Sequence, residues 1–144
     1  MRRFINCNKS IAPMHPASKA KQQLDAIDEA ARDVDDDAVI VVEGENDRRA
    51  LEEIGLMNTF VMIKGTPLYK VVERVVELNR RTLLLTDLDG QGKRLYRYLY
   101  HHLGQQGIKI SDGFREFLFK ETPIRQVEDL APYRETLHKP IEFG

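Results

Sequence analysis

Three carboxylate side chains follow apolar runs that have the length of buried strands. Glu43 follows residues 38–42, and Asp87 and Asp89 follow residues 82–86. Asp87 and Asp89 are two residues apart, so an extended backbone turns both to the same side. Ionised carboxylates within a few ångströms repel one another, and a hard divalent cation removes that repulsion. We therefore treat Glu43, Asp87 and Asp89 as candidate catalytic residues and metal ligands.

The residue types favour magnesium over zinc. Mg²⁺ prefers oxygen ligands, keeps several waters and typically binds one or two carboxylates together with substrate phosphate. Cys7 is the single cysteine, which excludes an intramolecular disulfide and a thiolate zinc site. His101 and His102 are adjacent, so a helix turns them about 100° apart. We expect Mg²⁺ as the cofactor, with Mn²⁺ as a substitute.

Glycine and basic residues near the same strand ends are candidates for binding a phosphate. Glycine lets the backbone approach closely, and lysine and arginine neutralise charge. The substrate-binding candidates are Gly44, Lys64, Gly65, Gly90, Gly92, Lys93, Arg94 and Arg97. Tyrosines interleave the last three and offer faces on which bases stack. A solvated face of an amphipathic helix is the competing interpretation of Arg97 and these tyrosines.

The elements that must position these residues alternate along the chain. Apolar runs at residues 38–42, 59–63, 82–86 and 108–110 predict four strands. Apolar residues at helical spacing predict helices between the strands, and a further helix from Ala17 before the first strand. Such βαβ units predict an α/β, Rossmann-like three-layer fold, with a parallel sheet of about four strands and helices on both faces.

Capping residues predict several helix boundaries. Asn46 or Asp47 is expected to cap the second helix, and Pro67 to take the first position of the third. Gly104 is expected to lie past the end of the fourth helix, and Thr122 to start a late helix. That late helix also carries two acidic residues, Glu128 and Asp129, which it can return toward the carboxylates.

Length and composition favour one domain. The chain has 144 residues, 42% of them hydrophobic and 31% charged, as in ordinary globular proteins. We interpret residues 1–16 as an N-terminal arm and residues 17–144 as a single domain with an N-terminal helix, a motif-bearing core (36–112) and a C-terminal helical extension. No apolar run approaches the ~20 residues that span a bilayer, and no secretory h-region is recognisable. We therefore expect a cytoplasmic location and no membrane partner.

Charge is balanced overall but unevenly distributed. The 22 Lys and Arg against 23 Asp and Glu exclude binding of polyanions by bulk positive charge alone. Residues 31–60 hold three basic and nine acidic side chains, whereas residues 91–120 hold six basic and two acidic. This distribution is compatible with a metal site beside a phosphate-facing surface, but charge alone favours two solvated faces.

Two motifs resemble those of the Toprim domain family. Residues 41–47, Val-Val-Glu-Gly-Glu-Asn-Asp, resemble its first motif, and residues 87–92, Asp-Leu-Asp-Gly-Gln-Gly, resemble its Asp-x-Asp-x-x-Gly motif. The chain is also similar in size to the small stand-alone Toprim proteins related to ribonuclease M5, and it resembles the Toprim unit of bacterial-type primases. The resemblance implies Mg²⁺ on Asp87 and Asp89, with Glu43 as general acid/base or further ligand.

The resemblance implies a Mg²⁺-dependent enzyme acting on nucleic-acid phosphodiesters, above all a small nuclease acting on RNA or DNA. The alternative is a non-catalytic Toprim subunit that binds nucleic acid and needs a partner protein for cleavage. Strand passage and full primer synthesis are not expected, because the chain is too short for the additional domains that they require. A haloacid-dehalogenase-type phosphohydrolase shares the Asp-x-Asp pattern, but its later Ser/Thr and Lys motifs are not recognisable here.

Overall fold

A computed structural model of the chain describes residues 16–138, so the predicted arm lies outside the described residues except for Pro16. In this part, the strands are β1 (Val39–Val42), β2 (Thr59–Met62), β3 (Thr82–Leu85) and β4 (Ile110–Ser111). The helices are α1 (Pro16–Arg32), α2 (Glu45–Glu53), α3 (Leu68–Leu78), α4 (Gly90–Gln105), α5 (Gly113–Glu121) and α6 (Leu130–His138), with a 3₁₀ turn at Val127–Asp129.

The strands form one parallel sheet in the order β2-β1-β3-β4. All residues of β1 and β3 are buried, because continuous apolar runs suit strands covered on both faces. Val42 is in register with Met62 of β2 on one side and with Leu85 of β3 on the other. The strand ends are therefore level, and the residues that follow them begin at one edge of the sheet.

Helices cover both faces of the sheet. Ile40 and Val42 of β1 pack in one core with residues of α1, α2, α5 and α6, while Val39 and Val41 pack in a second core with residues of α3 and α4. The result is three layers, helices–sheet–helices. The predicted Rossmann-like α/β class and the four-strand parallel sheet are confirmed.

Several predicted boundaries are wrong. The N-cap of α2 is Gly44, and Asp47 is its third helical residue, whose Oδ2 accepts a hydrogen bond from Gly44 N at 3.1 Å. Pro67 is the N-cap of α3 rather than its first residue. Helix α4 continues through Gly104 to Gln105, because glycine is tolerated in a last turn whose apolar face is already buried.

The region after α4 departs furthest from the predictions. Strand β4 is Ile110–Ser111 rather than 108–110, because Ile108 N closes the end of α4 by donating to Leu103 O at 3.0 Å. No helix starts at Thr122, which instead ends α5 and begins an extended segment. The Thr122 hydroxyl donates to Leu118 O within α5, so it closes the preceding helix rather than opening a new one.

Within residues 16–138, no helix combines the length and apolar character needed to cross a membrane.

Candidate functional site

An acidic cleft lies at the carboxyl edge of β1 and β3. Chain connections leave these neighbouring strands in opposite directions, toward β2 and β4, so the cleft lies at the switch point where α/β sheets bind ligands. Its volume is about 530 Å³. It is lined by Glu43, Gly44, Glu45, Asn46, Asp47, Ile63, Lys64, Asp87, Gln91, Leu95 and Glu128. Five of these side chains are acidic and one is basic. A larger groove of about 730 Å³, mainly apolar, lies between α1 and α5.

Glu43 and Asp87 are brought together by the pairing of β1 with β3. Asp87 N donates to Glu43 Oε2 at 2.8 Å, and Val127 N donates to Asp87 Oδ1 at 2.9 Å. Each carboxylate therefore has one oxygen fixed by a backbone amide. No hydrogen bond formed within residues 16–138 engages the other oxygen of either carboxylate, which leaves each with one oxygen available to a ligand.

Burial and neighbouring charge make both carboxylates easier to protonate. Burial raises the pKa of Glu43; the Asp87 amide lowers it, and the Asp87 and Asp89 carboxylates raise it again. Burial likewise raises the pKa of Asp87, against the lowering effect of the Val127 amide. Both shifts are the ones that a bound cation would oppose.

Asp89 serves chiefly as the cap of α4. Its Oδ1 accepts a hydrogen bond from Gly92 N at 2.7 Å. Asp89 is exposed and does not line the cleft. Thr86 Oγ1 donates to Gly92 O at 2.7 Å. These two bonds fold residues 87–92, which we call the aspartate loop, back onto the end of β3.

The substrate-binding candidates are divided by the structure. Gly44 and Lys64 line the cleft with Glu43 and Asp87. Gly65 has φ +81° in the turn closed by Thr66 N and Ile63 O at 3.0 Å, a backbone conformation that favours glycine. The candidates outside the lining are Gly65, Gly90, Gly92, Lys93, Arg94 and Arg97. Lys93, Arg94 and Arg97 are exposed along α4.

Two further residues belong to the site. Glu128 was expected only on a late helix that can return toward the carboxylates, and Arg115 was not among the candidates. Glu128 lines the cleft from the 3₁₀ turn, because the backbone before it binds the aspartate loop: Leu88 N donates to Arg125 O at 2.9 Å. Arg115 is half-buried on α5 and donates to Thr86 O. Arg115 follows β4 by only a few residues, so the strand-end criterion applied to the fourth strand would have found it.

The chemistry of the donors fits a hard cation. Within the described part of the chain, no three His, Cys, Asp or Glu side chains are grouped so that they could hold a metal ion together. Glu43 and Asp87 nevertheless each keep a carboxylate oxygen free of hydrogen bonds from residues 16–138. Mg²⁺ commonly needs only one or two protein carboxylates when substrate phosphate and water complete its shell.

The fold and the cleft together define a Rossmann-like α/β protein with an acidic strand-end site. No protein-family model matches the chain. It is 33% identical over 97 residues to the UPF0292 protein of Methanocaldococcus jannaschii, covering 65% of this chain and 76% of that one. It is 28% identical over 106 residues to the UPF0292 protein of Thermoplasma volcanium, covering 72% and 89%. The chain belongs to the UPF0292 family.

A solved structure has the same fold. A protein from Aquifex aeolicus superposes with a TM-score of 0.60 at 29% sequence identity. The match covers 76% of this chain and 95% of that chain. The α/β architecture is therefore shared, over the matched part of the chain, with an experimentally solved protein.

Ionisation of the buried Asp47 carboxyl should destabilise the folded protein in metal-free buffer. It is 6% exposed, and burial, followed by the neighbouring Asp87 carboxylate, raises its pKa to about 6. The folded protein then holds this proton more tightly than the unfolded chain, so stability falls as pH rises from about 4 to 6. We expect Asp47→Asn to be more stable than wild type at pH 8, by up to about 3 kcal/mol, and equal to it below pH 4.

Urea unfolding with EDTA at pH 4, 6 and 8 measures this difference. Asparagine keeps an oxygen that can accept from Gly44 N, so the variant removes charge and retains the cap. Asp36→Asn is the matched control, because Asp36 is exposed at the opposite edge of the sheet. A wild-type stability advantage over Asp47→Asn at pH 8 would contradict the prediction.

Proposed function

We propose that this protein is a Mg²⁺-dependent nucleic-acid phosphodiesterase of Toprim type, a small nuclease acting on RNA or DNA. One observation carries the proposal: Glu43 and Asp87 end neighbouring strands and line one cleft, with Glu43 Oε2 bonded to Asp87 N. The two sequence motifs that resemble Toprim meet in this pair. The partner is a nucleic acid, and Mn²⁺ can replace Mg²⁺.

The charge of the cleft supports a requirement for a cation. Five acidic side chains and one lysine line it, so a phosphate group would be repelled unless positive charge is added. Asp87 and Asp89 would hold Mg²⁺, with Glu43 as a further ligand or as the acid/base group. Bound Mg²⁺ would supply charge neutralisation on the phosphate oxygens.

Side chains of the cleft and of α4 would carry out proton transfer and phosphate binding. Burial raises the pKa of Glu43, which favours a role in proton transfer, and its free oxygen, Oε1, is the atom that would carry the proton. The Lys64 ammonium lies in the same cleft and can bind a phosphate oxygen. Lys93 and Arg94 on the first turn of α4 can bind the neighbouring phosphates of the strand.

A second candidate function is a non-catalytic nucleic-acid-binding subunit that needs a partner protein. The observation that favours it is the absence, within residues 16–138, of three acidic or histidine side chains grouped to hold an ion. A partner that completed the ligand set would be required for cleavage. Such a subunit would still bind nucleic acid through its basic α4 residues.

Cleavage assays with end-labelled oligonucleotides distinguish the two candidates. Single-stranded and hairpin RNA and DNA are incubated with the purified full chain and excess Mg²⁺. We expect strand cleavage that elutes with the protein on gel filtration, stops with EDTA and returns with Mg²⁺ or Mn²⁺. Salt-sensitive binding without cleavage would support the subunit instead. The absence of both, on every substrate, would contradict both candidates.

A further inference from the structure

Arg115 is a half-buried cation to which the proposed reaction assigns no role. It lies near the start of α5, and none of the ion pairs formed within residues 16–138 includes it. Burial of a charged group without an ionised partner is unfavourable unless other contacts compensate. The contacts that Arg115 makes therefore indicate what it is for.

Two aromatic rings and one backbone carbonyl hold the guanidinium. Its central carbon lies 4.4 Å from the centroid of the Tyr96 ring and 5.1 Å from that of Phe119. Tyr96 is itself fixed, since its hydroxyl donates to Asp112 Oδ1 at 2.6 Å. Arg115 Nη1 donates to Thr86 O and lies 3.3 Å from Thr86 Oγ1. The guanidinium is thus directed at Thr86 and not at a carboxylate.

Thr86 joins the two ends of the aspartate loop. It directly precedes Asp87, and its hydroxyl donates to Gly92 O at 2.7 Å. Arg115 does not line the cleft, and its hydrogen bonds reach Thr86, the residue that precedes the loop. We infer that Arg115 is a positioning residue, which holds the aspartate loop in the conformation that lets Asp87 and Asp89 bind Mg²⁺. This role rests on the proposed metal centre.

Two roles of Arg115 predict opposite changes in Mg²⁺ affinity. If Arg115 acted only through its positive charge, its removal would tighten cation binding, because a repulsive neighbour would be lost. If Arg115 positions the loop, its removal weakens binding, as loss of groups that orient metal ligands typically does by about 10–100-fold. The sign of the change therefore separates the two roles.

Calorimetric titration of Mg²⁺ into the full chain measures that sign. We expect Arg115→Met to weaken binding by about tenfold or more, and Arg115→Lys to recover part of the affinity. Arg134→Met is the matched control, because Arg134 pairs with Asp28 at 2.8 Å and joins α6 to α1, away from the loop. Equal or tighter Mg²⁺ binding by Arg115→Met would overturn the inference.

Hydrogen exchange in metal-free buffer tests the same inference without the metal. The amides of Asp87 and Gly92 donate to Glu43 Oε2 and Asp89 Oδ1. In Arg115→Met we expect both to exchange about tenfold faster, with the amides of β1 unchanged. If the wild-type protein binds no Mg²⁺, the proposed metal centre is wrong, and the role of Arg115 in holding the loop is judged from hydrogen exchange alone. Unchanged exchange at both amides would overturn that role. If Arg115→Met does not fold, the same exchange measurement is made on Arg115→Lys, which keeps the charge.

Discussion

The double variant Asp87→Asn/Asp89→Asn should reduce the rate of metal-dependent cleavage by at least about 100-fold. Mutation of residues that only orient metal ligands already reduces activity by up to about that factor. The substitution removes two negative charges and the carboxylate oxygens that Mg²⁺ prefers. It also keeps the hydrogen bonds that hold the loop. An asparagine oxygen can still accept from Val127 N and from Gly92 N, and asparagine is as good an N-cap as aspartate.

Stability and activity should therefore change independently in this variant. Loss of the favourable Asp89 charge at the start of α4 is offset by relief of the repulsion at Asp87, so unfolding free energy should stay within about 1 kcal/mol of wild type. Single-turnover cleavage rates and urea unfolding, measured on the same preparation, check both statements. Asp36→Asn makes the same chemical change at the opposite sheet edge and should cleave like wild type. A cleavage rate equal to that of wild type in the double variant would show that the two aspartates are not required for the reaction.

The sheet could be predicted from sequence because its strands carry a local signal. Residues 39–42 and 83–85 are continuously apolar and have branched side chains, which suits strands buried on both faces. The helices between them have one apolar stripe each, and that period is local too. These patterns sufficed to predict a parallel sheet between two layers of helices, and to place Glu43 and Asp87 at the same edge of that sheet.

The C-terminal third could not be predicted in the same way. Pro67 and Thr122 both lie in Thr-Pro pairs, yet the first pair starts a helix and the second ends one. The difference comes from tertiary contacts: the segment after Thr122 extends because Leu88 and Asp87 bind its backbone. Hydrogen bonds between residues about 40 positions apart leave no local pattern.

The same limit applies to the site. Strand-end reasoning finds Glu43 and Asp87, but it does not show that a backbone amide occupies one oxygen of each. Arg115 escaped detection because the candidates come from the ends of the first three strands, whereas Arg115 follows β4. Its role emerges only from the contact with Thr86, at the end of the neighbouring strand β3.

Gly92→Ala should disrupt both the fold and the site, because no room exists for a methyl group. A Cβ built on Gly92 lies 2.1 Å from Asp87 O and 2.7 Å from Asp87 C, and both are backbone atoms that no rotamer change can move. The backbone of Gly92 or of Asp87 must shift, and a shift of Asp87 would weaken the bond from its amide to Glu43. Overpacking of this kind costs about 3 kcal/mol, and we expect Mg²⁺ binding to be lost with it.

Gly104→Ala is the matched control on the same helix. Nothing lies within 4 Å of a Cβ built on Gly104, and alanine favours a helix more than glycine does, so this variant should gain up to about 1 kcal/mol. Urea unfolding followed by circular dichroism therefore compares two identical substitutions with effects of opposite sign. Wild-type stability and Mg²⁺ affinity in Gly92→Ala would mean that the aspartate loop tolerates a shifted backbone. The close packing of Gly92 against Asp87 would then not be required for the metal centre.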